Sequence, residues 1–341
     1  MKKDNELHIA FSLGSIIDTK KAEEVLEQKG VKAFQKILKK HRDSSTIFDA
    51  GPSLGFFMAL RRLNKLIPDD ILKIRFGLIS KIDPNPNVSA VILESMKFYL
   101  EENKEDLSDF GFDVVMMTNG KDTTFCHKVF DTDLMFTTSQ NSAKKLFNDG
   151  FPAVAIPNIH KDLNKEFYNK RNGNIVLFTD YDGVIGDVES EKVFQKHLST
   201  QSPSGAVNAF IQHEISNSET PMELGPLGAV MQKLGRIVKY EKEQQQNSGD
   251  YNNLLDILVV TARGGQAQTR LVRTIDNFNI EISSLYMMQG QNKNDLLSEL
   301  GKLYQGYNIL FFDDSEIHFK RSQDLATILS GLVPNSDNIT K

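Results

Sequence analysis

The chain has no tryptophan and a single cysteine among its 341 residues. One thiol, Cys126, excludes an intrachain disulfide, and the expected setting is a reducing compartment. Cys126 itself reads as a small, half-buried apolar residue. Long apolar runs are missing, and none reaches the length that spans a bilayer. The opening text, MKKDNELHIAF, lacks the apolar stretch of a secretory signal. The cytosol is therefore the expected location, with no membrane partner. An excess of positive charge is missing too. Lysine and arginine number 40 against 45 aspartate and glutamate, giving a net charge of -5. That speaks against a broad face for a nucleic-acid polymer, though not against a local basic pocket for one phosphate. What is present is ordinary: 40% hydrophobic and 25% charged residues, in a length that suggests two domains.

Short apolar runs alternate with amphipathic stretches, the pattern of α/β folds with a parallel sheet. Strands are expected at 8–11, 76–80, 114–117, 134–136, 153–156, 175–179, 257–261, 284–288 and 309–312. Helices are expected between them, including 20–41, 54–66, 267–278 and 293–304. The polar stretch 157–174 reads as a linker, and 241–251, with QQQNSGD, as a solvated loop.

Five segments recur in the same order in the two halves. The first half carries IAFSLGSIID, GPSLGFFMALRRLN, FGLISK, VVMMTNGK and DLMFTTS. The second carries VLFTDYDGVIGD, GPLGAVMQKLGRI, LVVTAR, LYMMQGQNK and ILFFDDS. A duplication is expected, with Ser12 and Gly14 opposite Asp180 and Asp182. Thr137 and Thr138 then stand opposite Asp313 and Asp314. The first half would have the fold without the catalytic acids.

Four strand ends of the second half carry chemistry. Asp180-Tyr-Asp182-Gly follows the apolar run 175–178, and ligands bind at strand ends of parallel sheets. Asp180 can attack phosphorus as a carboxylate nucleophile. Asp182 can protonate the leaving oxygen and later deprotonate water. A DxD alone also fits a surface turn. Thr261 ends the next run, where a hydroxyl can hold a phosphoryl oxygen or cap a helix. Lys293 follows a glycine-containing loop and can neutralise charge between nucleophile and phosphate, or simply sit on a helix face. Asp313 and Asp314 end the last run. Adjacent carboxylates repel unless a cation or proton intervenes, and hard oxygen ligands suit Mg2+.

The ordered set DxD, Thr, Lys, DD resembles the haloacid-dehalogenase-like phosphohydrolases. The finer text is similar to the cytosolic type I 5'-nucleotidase family, most firmly from 175 to 332. DYDGVIGDVESE, GPLGAVMQKLGRI, VVTARGGQAQTRLVRTI, NIEISSLYMMQGQNKNDLL and ILFFDDSEIHF carry that likeness. IAFSLGSIIDT, LISKIDPN and MMTNGKD extend it into the first half. The text departs from the family's at Tyr181, Gly183, Gly186 and Asp187 while keeping both acids.

The resemblance implies two Rossmann-like halves, 1–165 and 170–341, the first catalytically degenerate, with a small helical cap at about 189–223. It implies hydrolysis of nucleoside 5'-monophosphates, AMP-like ones prominently, with Mg2+ and an aspartyl-phosphate. Asp180 would be nucleophile and Asp182 acid/base, with Thr261 and Lys293 on the phosphate. Asp180, the Asp182 carbonyl and Asp313 would hold the metal, with Asp314 as the alternative. Arg263 would touch substrate. For the nucleoside, Phe194 and His213 in the cap are candidates, with Glu189, Glu191 and Glu214 beside them. Ser80, Lys81 and Asn119 are strand-end candidates from the first half. A phosphatase of another small phosphomonoester, a phosphotransferase and a nucleotide-binding regulator of low turnover are the rival readings, and a homo-oligomer is compatible with any of them.

Overall fold

The computed structural model describes residues 3–20, 48–82, 84, 86–102, 111–157, 174–248, 251–325 and 327–335, with scattered residues between 25 and 40. The expected helix at 20–41 and linker at 157–174 fall largely outside these. The strands are β1 (Glu6–Phe11), β2 (Lys73–Ser80), β3 (Val114–Met117), β4 (Leu134–Thr137) and β5 (Ala153–Ala155). After them come β6 (Ile175–Thr179), β7 (Leu255–Thr261), β8 (Ser284–Met287), β9 (Asn308–Asp313) and β10 (Leu329–Leu332).

They form one sheet in the order β3-β2-β1-β4-β5-β10-β9-β6-β7-β8. Read inward from its own edge, the second run repeats the order of the first. Neighbours are parallel throughout, except where Leu332 of β10 meets Ala155 of β5 antiparallel. The carboxyl ends of β1–β5 therefore open on one edge of the sheet and those of β6–β10 on the other.

Apolar runs without polar alternation suit strands covered on both faces. Ile175 and Leu177 enter one core cluster, which crosses both runs of strands. Val176 and Phe178 point into a second cluster on the opposite face. Ala10, Met135 and Ala155 lie in a third, on the first run. The larger of these side chains, valine, leucine, isoleucine, phenylalanine and methionine, each stabilise the fold by roughly 1.5–3 kcal/mol when fully buried.

Two sequence expectations need correction. The stretch 241–251 is not a loop from its start, because helix Gly228–Ser248 runs through most of it. Gln, Glu and Lys are good helix formers, and Glu241 turns inward to accept from the backbone N–H groups of Leu254 and Leu255 at 2.6 and 3.2 Å. Strand β10 was not anticipated. Its text, LSGL, is short and interrupted by Gly331, whose missing side chain makes room for Val154 of β5.

Candidate active site

Strand β6 delivers Asp180 at its carboxyl end, buried to 8% exposure. The Asp180 N–H donates to the Phe312 carbonyl at 2.8 Å, and its Oδ1 accepts from the Tyr181 N–H at 2.7 Å. Helix Lys293–Leu303, capped by Asn292, presents Lys293 from its first residue. The Lys293 Nζ donates to Asp180 Oδ2 at 2.6 Å and to Asp313 Oδ2 at 2.8 Å. Asp313 ends β9 and also accepts from the Ser315 N–H at 2.8 Å. Asp314 beside it accepts from the Asn335 amide. Gly183 closes this corner at φ +70, and a side chain there would strike the Asp314 carboxylate.

Charge is dense here. Burial pushes the Asp180 carboxyl up to about 6, with Asp313 and Asp182 adding to the effect and Lys293 opposing it. Burial, then Asp180 and Asp313, raise Asp314 well above the carboxylate range. Burial works against the Lys293 ammonium, but the two carboxylates outweigh it and hold its pKa up. Asp180, Asp313 and Asp314 each offer an oxygen, all within 4.8 Å of one another. Three hard oxygen donors, two of them bonded to one ammonium, form a set that fits a small divalent cation.

The Asp182 carboxylate points elsewhere. Arg263 grips it with a fork, Nε to Oδ2 at 2.8 Å and Nη2 to Oδ1 at 2.6 Å. The same guanidinium bonds Glu214 on helix Pro203–Ser216 and lies over the Tyr181 ring at 4.9 Å and the Phe210 ring at 5.4 Å. Glu214 also accepts from Ser190 at 2.6 Å and Arg270 at 3.1 Å. Arg270 continues to Glu189 at 2.8 Å and His213 at 3.2 Å. One buried network thus ties Asp182 to the helices Glu189–Leu198 and Pro203–Ser216.

The structure brings Asp180, Lys293, Asp313 and Asp314 together. Thr261 ends β7, buried, with its Oγ1 accepting from the Arg263 N–H at 3.2 Å. The Arg263 side chain is 1% exposed and bonded to two acids, Asp182 and Glu214. His213 is engaged by Glu189 and Arg270, which turns it into the network. Glu191 is bonded along its own helix by Gln195. Phe194 is half-buried one turn after Ser190. Ser80, Lys81 and Asn119 stand apart from this cluster. They lie at the ends of β2 and β3, on the edge of the sheet opposite Asp180. From β2 to β6 is six strand spacings, about 29 Å. Arg270 and Asn335 were missed. Arg270 carried a signal: it sits in the buried stripe with Leu271, Thr274 and Ile275, where a charge must have a partner.

Among the described residues, no helix is long and apolar enough to cross a membrane. Human (Homo sapiens) cytosolic 5'-nucleotidase 1B is 22% identical over 334 residues, covering 96% of this chain and 49% of that protein. The chain thus spans about half the length of the curated relative it matches. The family model for 5'-nucleotidase matches residues 1–338, nearly the whole sequence, and the chain belongs to the 5'-nucleotidase family.

Proposed function

We propose that the chain hydrolyses nucleoside 5'-monophosphates, AMP-like ones included, to nucleoside and phosphate through an aspartyl-phosphate on Asp180. The observation that carries this reading is Asp180 at a strand end, held by Lys293 against Asp313, with Asp314 in the same cluster. A carboxylate so placed has the reach and the charge compensation that attack on phosphorus requires.

In the first step an Asp180 oxygen bonds to phosphorus and the ester P–O bond breaks. Asp182 gives its proton to the departing 5'-oxygen. In the second step Asp182 takes a proton from water, the water oxygen bonds to phosphorus, and the acyl-phosphate bond breaks to restore Asp180. Thr261 and Lys293 hold phosphoryl oxygens. Asp180, the Asp182 carbonyl and Asp313, with Asp314 beside them, would hold Mg2+. When bound, the ion supplies positive charge against the phosphate and the crowded carboxylates. Arg263 forks onto both Asp182 oxygens in this structure, so one oxygen leaves the fork for Asp182 to carry the proton. The region 189–223 acts as a cap that limits water, and its tie to Asp182 couples cap position to the acid/base. We assign 1–165 and 170–341 as two haloacid-dehalogenase-type halves, only the second with the acids.

The test is Asp180→Asn assayed on a panel of phosphomonoesters. Turnover of nucleoside monophosphates falls by roughly 10³-fold or more with the fold retained. Unchanged phosphate release overturns the mechanism. Wild-type rates on sugar phosphates equal to those on nucleotides overturn the nucleotidase assignment.

A further inference from the structure

The cleft at the carboxyl ends of β1, β2 and β4 faces away from the catalytic one, and five backbone hydrogen bonds of its frame recur in the catalytic cleft. The Ser12 N–H donates to Phe136 at 2.9 Å, as Asp180 does to Phe312 at 2.8 Å. The Thr118 N–H donates to Ser80 at 3.0 Å, as Met288 does to Thr261 at 2.8 Å. The Gly120 N–H donates to Lys81 at 2.6 Å, as Gly290 does to Ala262 at 2.8 Å. Both loops turn through the same left-handed pair, Asn119 and Gly120 at φ 50 and 78, Gln289 and Gly290 at φ 50 and 76. The Ile156 N–H reaches Thr137 at 2.8 Å, as Val333 reaches Asp313 at 3.0 Å. Gly51 bonds Ile16 at 2.8 Å, as Gly225 bonds Ile185 at 2.7 Å.

Within this shared frame the chemistry is inverted. Ser12, Thr137 and Thr138 occupy the places of Asp180, Asp313 and Asp314, and Thr123 that of Lys293, while neither Leu13 nor Gly14 supplies the acid of Asp182. Three carboxylates are replaced by hydroxyls. Ser80 keeps the hydroxyl of Thr261. A cavity of about 360 Å3 remains, lined among others by Ser12, Ser80, Thr138, Lys81 and Lys145. That is room for a small ligand. Asp122 is the one acid among the described lining residues, and Lys145 is shared between it and Asp149, each at 2.7 Å. A dianion entering here meets hydroxyl donors, Lys81, and a Lys145 already shared with two carboxylates. Among the described residues it meets no carboxylate at the places of Asp180, Asp313 and Asp314.

We propose that this first-half cleft binds the phosphate group of a phosphomonoester without metal and without hydrolysing it. The choice of phosphate as ligand rests on the reading of the catalytic cleft above.

Equilibrium dialysis of the full chain carrying Asp180→Asn, which stops turnover, tests it with adenosine 5'-monophosphate and, separately, inorganic phosphate as probes. Adding Thr138→Asp restores an acid to the first cleft and weakens one binding event per chain by at least about tenfold. Adding Lys293→Ala instead weakens the other. Phosphate bound as tightly as the nucleotide assigns the first cleft to the phosphate group alone, and a preference for the nucleotide assigns it to the whole ester. Binding insensitive to Thr138→Asp, with the circular dichroism spectrum unchanged, overturns the inference. Should that variant fail to fold, Lys81→Ala at an exposed position decides, with several-fold weakening expected and no change overturning. If the catalytic reading alone is wrong, the Lys293-sensitive event is absent while the Thr138-sensitive one persists.

Discussion

Arg263 serves two acids with one guanidinium, forking onto Asp182 and bonding Glu214, with its side chain 1% exposed. A lysine keeps the charge but not the fork. Arg263→Lys therefore lowers turnover by roughly 10- to 100-fold, as misdirected catalytic groups do, and lowers the melting temperature. Steady-state kinetics and calorimetry check this, and wild-type kcat in the variant would contradict it. Asp180, Asp313 and Asp314 make a second prediction. Their repulsion is only partly offset by Lys293, so a divalent cation that binds the folded chain stabilises it, by about 2.7 kcal/mol at a hundredfold excess over Kd. Mg2+ should raise the melting temperature and EDTA should reverse it. No response would contradict the metal assignment. At this scale the sequence was most informative about the acids and the lysine, because few structural roles explain carboxylates at successive strand ends. It was least informative about Arg263, whose partner Glu214 lies 49 positions away and is invisible without the fold.

Helix Gly228–Ser248 is anchored to the start of β7 through Glu241, which is 1% exposed. Burial pushes its carboxyl up to about 7, against the pull of the Leu254 and Leu255 N–H groups. The folded chain keeps this proton to near pH 7, while the unfolded chain releases it near the ordinary value of 4.5. The stabilisation is fully present below pH 4.5 and is lost as pH rises through about 7. It amounts to about 3 kcal/mol. Denaturant unfolding at pH 5 and pH 8 should show that loss in the wild type and a smaller one in Glu241→Gln, which cannot ionise. Equal pH dependence in both would contradict the assignment. Element types were legible wherever apolar runs were long, as at β6 and β7. The polar run QQQNS was misread because a helix that exposes most of its surface there has the composition of a loop, and its one inward acid leaves no periodic trace.

The whole molecule is organised by the antiparallel seam between β5 and β10. That seam turns one half of the sheet against the other and sends the two clefts to opposite edges. It was illegible in the sequence because β10 is four residues long with a glycine inside, and the direction of a strand leaves no mark on composition. The repeated order of strands is observed in the sheet, as β3-β2-β1-β4-β5 and β8-β7-β6-β9-β10. Ser80, Lys81 and Asn119 read as strand-end candidates for the same substrate, and the seam carries them away from Asp180. Gly331 on β10 faces Val154 and the Phe312 ring, so Gly331→Val overpacks the seam. Destabilisation of about 1–3 kcal/mol is expected from calorimetry, with seam-independent stability as the contrary result. The central claim concerns Asp180, and the most direct measurement is peptide mass spectrometry after acid quench during turnover of a nucleoside monophosphate. The account predicts one phosphoryl group on Asp180, absent in Asp180→Asn, and a phosphoryl group found on another residue, with Asp180→Asn still active, would contradict it.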